Sequence, residues 1–159
     1  MEIASWMCGI VGCVAEEPVA KILLEGLKRV EYRGYDSAGM ATISNGTLDV
    51  RKGVGRVSEI EQSRSLSSLR GNIGMAHTRW ATHGGVTDEN AHPQASCKEL
   101  VAVIHNGIIE NYITLKKSLS TRGHRFRSQT DTEVIAHMIE DEYRRTRDPM
   151  KATMAPQRS

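Results

Sequence analysis

The sequence has no apolar run long enough to cross a bilayer as a helix, which takes about 20 consecutive residues; residues 100–104 are typical of its longest stretches. Its first six residues lack the basic and apolar regions of a signal peptide, so a cytoplasmic location is expected. An excess of one charge is also missing. Lys and Arg number 21 against 19 Asp and Glu, a formal net charge of +2, which gives no electrostatic reason to expect nucleic acid or a membrane surface as partner. Cysteine is scarce: Cys8, Cys13 and Cys97 are odd in number and lack paired spacing, which argues against a secreted disulfide framework and is compatible with one reactive thiol. No internal repeat or low-complexity tract is present. What remains is a chain of 159 residues with 39% apolar content, enough for one domain around a packed core.

Residues 8–14 form a short β-branched run containing Gly9 and Gly12, which predicts a buried strand. From Pro18, the residues Val19, Ile22, Leu23, Leu27 and Val30 recur at helical spacing and Gly34 lies just past the end, so an amphipathic helix packed on a sheet is expected. Asn45-Gly46 accepts the positive φ angles of a tight turn and predicts a hairpin between residues 40–44 and 47–51. Residues 58–71 are polar and serine-rich and read as a weak helix or loop at the surface. Ile73, Met75 and His77 alternate into a strand reaching Arg79-Trp80, and Gly84-Gly85 marks a loop. Residues 100–105 read as a further buried strand that stops at Asn106-Gly107, before a helix over about 111–121 with Tyr112, Leu115 and Leu119 on one side. Thr130-Asp131-Thr132-Glu133 has capping-box spacing and opens a helix to about Tyr143. The expected organisation is an extension over residues 1–6, a domain over 7–145 and an unstructured tail over 146–159.

Reactive residue types cluster where predicted strands begin or end: Cys8, Arg79-Trp80 and Asn106-Gly107. Strand ends held by a sheet fix distances, as a preorganised site requires. A cysteine thiolate attacks an amide carbonyl when a base takes its proton and donors meet the developing oxyanion. An Asn side-chain amide beside an open Gly N–H is such a donor pair. Taken singly, each feature has a plainer reading. A Cys in an apolar strand is usually inert core, His-Asn-Gly after a strand is usually a turn, Arg-Trp is usually a surface charge beside a packed aromatic, and Asp in a capping sequence is usually structural.

Their order along the chain changes that balance. The segments Cys8-Gly9-Ile10-Val11-Gly12, residues 31–39 (EYRGYDSAG), residues 77–84 (HTRWATHG), residues 105–111 (HNGIIEN) and residues 130–134 (TDTEV) together resemble the class II glutamine amidotransferases. The resemblance covers Met7 to about Tyr143. It implies an α+β fold, the N-terminal-nucleophile type αββα sandwich, truncated here at its C-terminal side so that apolar faces stay uncovered. Within the class, the wording of the second and third segments resembles the branch that passes ammonia to fructose 6-phosphate. The amidophosphoribosyltransferase branch is the nearest rival, and a non-catalytic module that binds glutamine or a partner is the rival of another kind.

By that resemblance Cys8 is the nucleophile and Asn106 and Gly107 form the oxyanion hole. Arg79 binds the carboxylate of L-glutamine and Asp131 its ammonium group, while Thr82 and His83 lie in the loop that closes over it. Trp80 helps seal the route of ammonia, and Arg33 supports the surroundings of the nucleophile. The base is the α-amine of Cys8, so the mature chain is expected to begin there, through a start at Met7 with methionine removal or through a removable propeptide. The resemblance implies no cofactor. It implies sugar-phosphate isomerase domains in the full-length relatives, and it leaves a homodimer open. A zinc reading of His77, His83, His92 and Cys97 fails on spacing, so no metal is expected. Cys13 reads as a packing residue and Cys97 as a surface one.

Overall fold

The computed structural model describes residues 8–81 and 84–154. Strand β1 (Gly9–Val14) leads into helix α1 (Ala20–Val30), then the hairpin β2 (Ser37–Ser44) and β3 (Thr47–Val54), helix α2 (Val57–Arg64) and strand β4 (Ile73–Arg79). The four strands form one antiparallel sheet in the order β1-β4-β2-β3. Asn45 and Gly46 both have positive φ, 50° and 76°, which gives the hairpin the tight turn its dipeptide predicts. Helix α1 starts after Pro18, with Val19 as its first capping residue, and ends with Lys28 and Arg29 against the negative end of its dipole.

The outer face of the sheet carries the core. Leu23 and Leu27 of α1, Val57 and Ile60 of α2, Ala38 and Met40 of β2 and Ala76 of β4 are fully or almost fully buried together. Each large aliphatic side chain hidden in this way contributes roughly 1.5–3 kcal/mol. The stretch expected to be a weak surface element is part of this core. Residues 57–64 are helical, a 3-10 turn follows at Leu66–Ser68, and Val57, Ile60, Leu66 and Leu69 all point inward. Eight helical residues are too few for the period to stand out among serines.

The second layer is slighter. Strands β5 (Gln94–Ala95) and β6 (Ala102–Val103) pair with each other, and helices α3 (Tyr112–Thr121), α4 (Glu133–Thr146) and α5 (Pro149–Met154) complete the described chain. The buried strand expected over residues 100–105 shrinks to Ala102–Val103, and Leu100 is 48% exposed. Ser96 is the cause: its hydroxyl accepts the N–H groups of Leu100 and Val101, drawing the backbone into a turn in place of a ladder. The capping box is also absent. Thr132 caps α4 without a side-chain bond, and Glu133 turns away to accept the N–H groups of Arg127 and Ser128. The tail expected to be unstructured from residue 146 carries α5, with the Asp148 carboxylate accepting the N–H groups of Met150 and Lys151 and with Ala152 buried.

Cross-strand register sorts the inner face of the sheet into rows. Val14, Ile73 and Ile43 stand side by side at one end, Gly12, Met75 and Ala41 come next, then Ile10, His77, Gly39 and Lys52. The face therefore runs from apolar to polar along the strands. At the apolar end Val14 is 75% exposed, while Ile43 and Ile73, 41% and 44% exposed, line a cavity of about 450 Å³ with Ile139 and Tyr143. Between this face and α4 lies a cavity of about 840 Å³ lined by Ile10, Met75, Val103, Val134 and Met138. Among the described residues, no helix is long and apolar enough to cross a membrane.

Candidate active site

The polar end of the inner face opens into a second cavity, of about 510 Å³, lined by Cys8, Arg33, His77, Arg79, Trp80, His92, His105, Asn106, Gly107, Thr130 and Asp131, among others. Seven residues singled out in the sequence meet here: Cys8, Arg33, Arg79, Trp80, Asn106, Gly107 and Asp131. Thr82 and His83 lie outside the described residues, as do residues 1–7.

Cys8 sits one residue before β1, and pairing of β1 with β4 sets it beside the end of β4. The N–H of Trp80 donates to Cys8 Sγ at 3.2 Å, and Gly9 N–H donates to Thr78 Oγ1 at 3.2 Å. Gly34 makes this approach feasible: a Cβ there would lie 2.9 Å from Arg79 C and from Trp80 N. The neighbouring Asp36 accepts Ala81 N–H at 2.9 Å, and Tyr35 meets the Trp80 ring edge-on at 5.6 Å. The segment over residues 31–39 thus braces the end of β4.

Asn106 reaches the nucleophile from across the chain, its Nδ2 donating to the Cys8 carbonyl at 3.1 Å. Its Oδ1 lies 2.8 Å from His77 Nε2. A carboxamide oxygen only accepts, so His77 carries its proton on Nε2, and this bond fixes which way the amide points. Burial lowers the pKa of His77 to about 4, against the raising effect of the Asn106 bond, which keeps the ring neutral at physiological pH. His92 stacks on His77 with ring centroids 4.7 Å apart, and burial pulls its pKa down as well. Lys52 secures the His92 loop by donating to the carbonyls of Ala91 at 2.7 Å and Glu89 at 2.9 Å. Gly107 packs under the His105 ring, which would lie 2.6 Å from an added Cβ.

Arg79 is buried, and desolvation lowers its pKa while Cys8, Asp36 and Asp131 oppose that shift. Its Nη1 donates to Gly85 O at 3.3 Å. Asp131 accepts Ile109 N–H at 2.7 Å, which ties the start of α4 to the turn bearing Asn106. A cationic Arg79 and an anionic Asp131 on one cavity are complementary to a zwitterion.

His77, His92, His105 and Thr130 were not singled out from the sequence as site residues. The alternation that put His77 on a strand also aimed it at the inner face, and that was the available signal. Of the four residues considered above as metal ligands, His77 and His92 line this cavity, Cys97 does not, and His83 lies outside the described residues. Cys97, expected at the surface, is half-buried among His124, His137 and Glu140. Cys13 packs against the core, as expected.

A cysteine at the head of a strand in a layered α+β fold, turned toward an Asn-Gly corner, is the mark of the N-terminal-nucleophile amidotransferases. The chain belongs to the glutamine amidotransferase domain family, whose model matches residues 64–146. It is similar to glutamine–fructose-6-phosphate aminotransferase (isomerizing) of Thermococcus kodakarensis, 53% identical over 136 residues that make up 86% of this chain and 23% of that protein. The Thermus thermophilus protein of the same name is 54% identical over 138 residues, 87% of this chain and 23% of its own length. Among solved structures, glutamine phosphoribosylpyrophosphate amidotransferase from B. subtilis superposes with a TM-score of 0.69 at 31% identity, covering 82% of this chain and 29% of that one. This chain therefore spans about a quarter of the length of these relatives.

Proposed function

We propose that the chain is a glutaminase domain of the type that feeds ammonia to fructose 6-phosphate, with Cys8 as nucleophile. The observation that carries this reading is the convergence of Cys8, Asn106, Gly107, Arg79 and Asp131 on one cavity. L-Glutamine enters with its α-carboxylate toward Arg79 and its α-ammonium toward Asp131, which brings the side-chain carboxamide to Cys8. Cys8 Sγ forms a bond to the carboxamide carbon, and the thiol proton passes through the α-amine of Cys8 to the departing nitrogen. Asn106 Nδ2 and Gly107 N–H meet the oxyanion, ammonia leaves as the C–N bond breaks, and water hydrolyses the γ-glutamyl thioester to glutamate. Trp80 helps seal the route of ammonia, and Arg33 supports the surroundings of the nucleophile.

The identity to the aminotransferases, at 53% and 54%, exceeds the 31% to the phosphoribosylpyrophosphate enzyme, which favours fructose 6-phosphate as the eventual acceptor. Transfer to that acceptor would fall to the part of the relatives' length that the match does not span. The test is glutamate and ammonia release from glutamine by protein whose mass shows Cys8 as first residue, beside a Cys8→Ala variant. Release that depends on Cys8 is expected; binding of glutamine without any such release favours a non-catalytic module instead.

A further inference from the structure

Four side chains outside the active-site cavity converge in the second layer, and the function proposed above uses none of them. Cys97 follows β5, His124 follows the turn after α3, and His137 and Glu140 stand three residues apart on one face of α4. His124 Nδ1 lies 3.3 Å from Cys97 Sγ and 3.2 Å from His137 Nδ1, and Glu140 Oε2 lies 3.8 Å from the same sulfur. All four ligand atoms fall within 4.8 Å of one another. His137 and Glu140 are completely buried, and His124 is nearly so.

Hydrogen-bond accounting shows what this group lacks. His124 Nε2 faces Asp141 Oδ1 at 2.8 Å, and His137 Nε2 faces Glu133 Oε1 at 3.3 Å. Carboxylates accept, so each ring carries its proton on Nε2 and turns the lone pair of Nδ1 toward the other. Cys97 N–H reaches His137 Nδ1 only at 3.4 Å, Lys98 N–H reaches Glu140 Oε2 at 3.4 Å, and Glu140 Oε1 has no hydrogen-bond partner although it is buried. Two imidazole lone pairs, a sulfur and a carboxylate thus face a common point. A buried carboxylate oxygen without a partner is costly.

A cation at that point resolves the conflict. With Zn–N near about 2.0–2.1 Å and Zn–S near about 2.3 Å, a tetrahedron has N···N edges of about 3.3 Å and N···S edges of about 3.6 Å, close to the separations above. One thiolate, two imidazoles and one carboxylate suit zinc, and carboxylates behind both rings are the usual outer support of metal-bound histidine. We propose that Cys97, His124, His137 and Glu140 form a closed, structural zinc site. It would tie the β5–β6 connection and the turn after α3 to α4. Those are the segments that lead into Asn106 and start directly after Asp131, so the metal would brace the site's two flanks.

The test uses the untagged chain, stripped of metal and titrated with zinc alone. Tight uptake of about one zinc per chain and a higher unfolding midpoint with zinc are expected. Cobalt(II) in place of zinc should give a thiolate-to-cobalt charge-transfer band and tetrahedral visible bands, with the former lost in Cys97→Ser. Asp141→Asn removes no ligand and should weaken zinc binding about 10- to 100-fold. Should Cys97→Ser fail to fold, the wild-type cobalt spectrum still decides. No zinc retained above background, or a cobalt spectrum without the thiolate band, overturns the site in favour of a proton shared between the two rings. None of these readouts depends on glutamine turnover.

Discussion

At the scale of single residues, Asn106 stands out because both ends of its amide are committed. Its Oδ1 is held by His77 and its Nδ2 points at Cys8, so the donor is oriented before any substrate arrives. On the mechanism proposed above, in which Asn106 Nδ2 meets the oxyanion, Asn106→Ala should lower kcat for glutamine hydrolysis by about 10²–10³ with KM nearly unchanged. Steady-state ammonia release checks this. His77 supports a prediction about pH. Its folded pKa, about 4, lies below the roughly 6.5 of an unfolded histidine, so between those values the unfolded chain binds the extra proton. Stability should be level above about pH 6.5 and fall as pH drops toward 4, by up to about 3 kcal/mol from this group. Urea unfolding at pH 7 and pH 5 should show the drop, and His77→Gln should shrink it.

Single elements owe their placement to buried polar contacts as much as to apolar stripes. Glu133 opens α4, is 1% exposed, and accepts Arg127 N–H at 2.8 Å, Ser128 N–H at 2.7 Å and Ser128 Oγ at 2.7 Å. It locks the approach to α4, and with it Asp131, onto the helix. Glu133→Ala leaves these donors without an acceptor and should cost about 3 kcal/mol or more, read as a lower urea midpoint. Lys52 does the same for the His92 loop, and burial lowers its pKa to about 8.

Over the whole molecule, the inner face of the main sheet is divided by purpose. Its rows turn from Val14, Ile73 and Ile43 to His77 and Lys52 within the length of one strand. The polar end opens on the active-site cavity, whereas at the apolar end Ile43 and Ile73 line a cavity with Ile139 and Tyr143 and Val14 at the sheet edge is 75% exposed. Contiguous apolar surface of this kind favours association. Val14→Lys should therefore reduce concentration-dependent self-association in light scattering while moving the unfolding midpoint little, since Val14 is already 75% exposed.

Much of this was legible in the linear chain. Alternation and helical spacing predicted β4, α1 and α4, because these elements bury one face and their period records it, while the Asn45-Gly46 dipeptide predicted the hairpin and a β-branched run predicted β1, which lies at the sheet edge with Ile10 49% and Val14 75% exposed rather than buried throughout. Five ordered segments identified the candidate nucleophile and its neighbours, and the described ones do converge. Other features depended on partners distant in sequence. Residues 57–69 joined the core despite their serines, since burial is decided by what packs against them. Residues 100–105 lost most of their strand to the Ser96 hydroxyl. Glu133 left its expected cap for two N–H groups that tertiary packing put within reach. The Cys97, His124, His137 and Glu140 cluster draws on a β connection, a post-helix turn and a helix, and no spacing rule joins them. Local periodicity is a property of neighbours along the chain, whereas a ligand set or a buried bond is a property of neighbours in space.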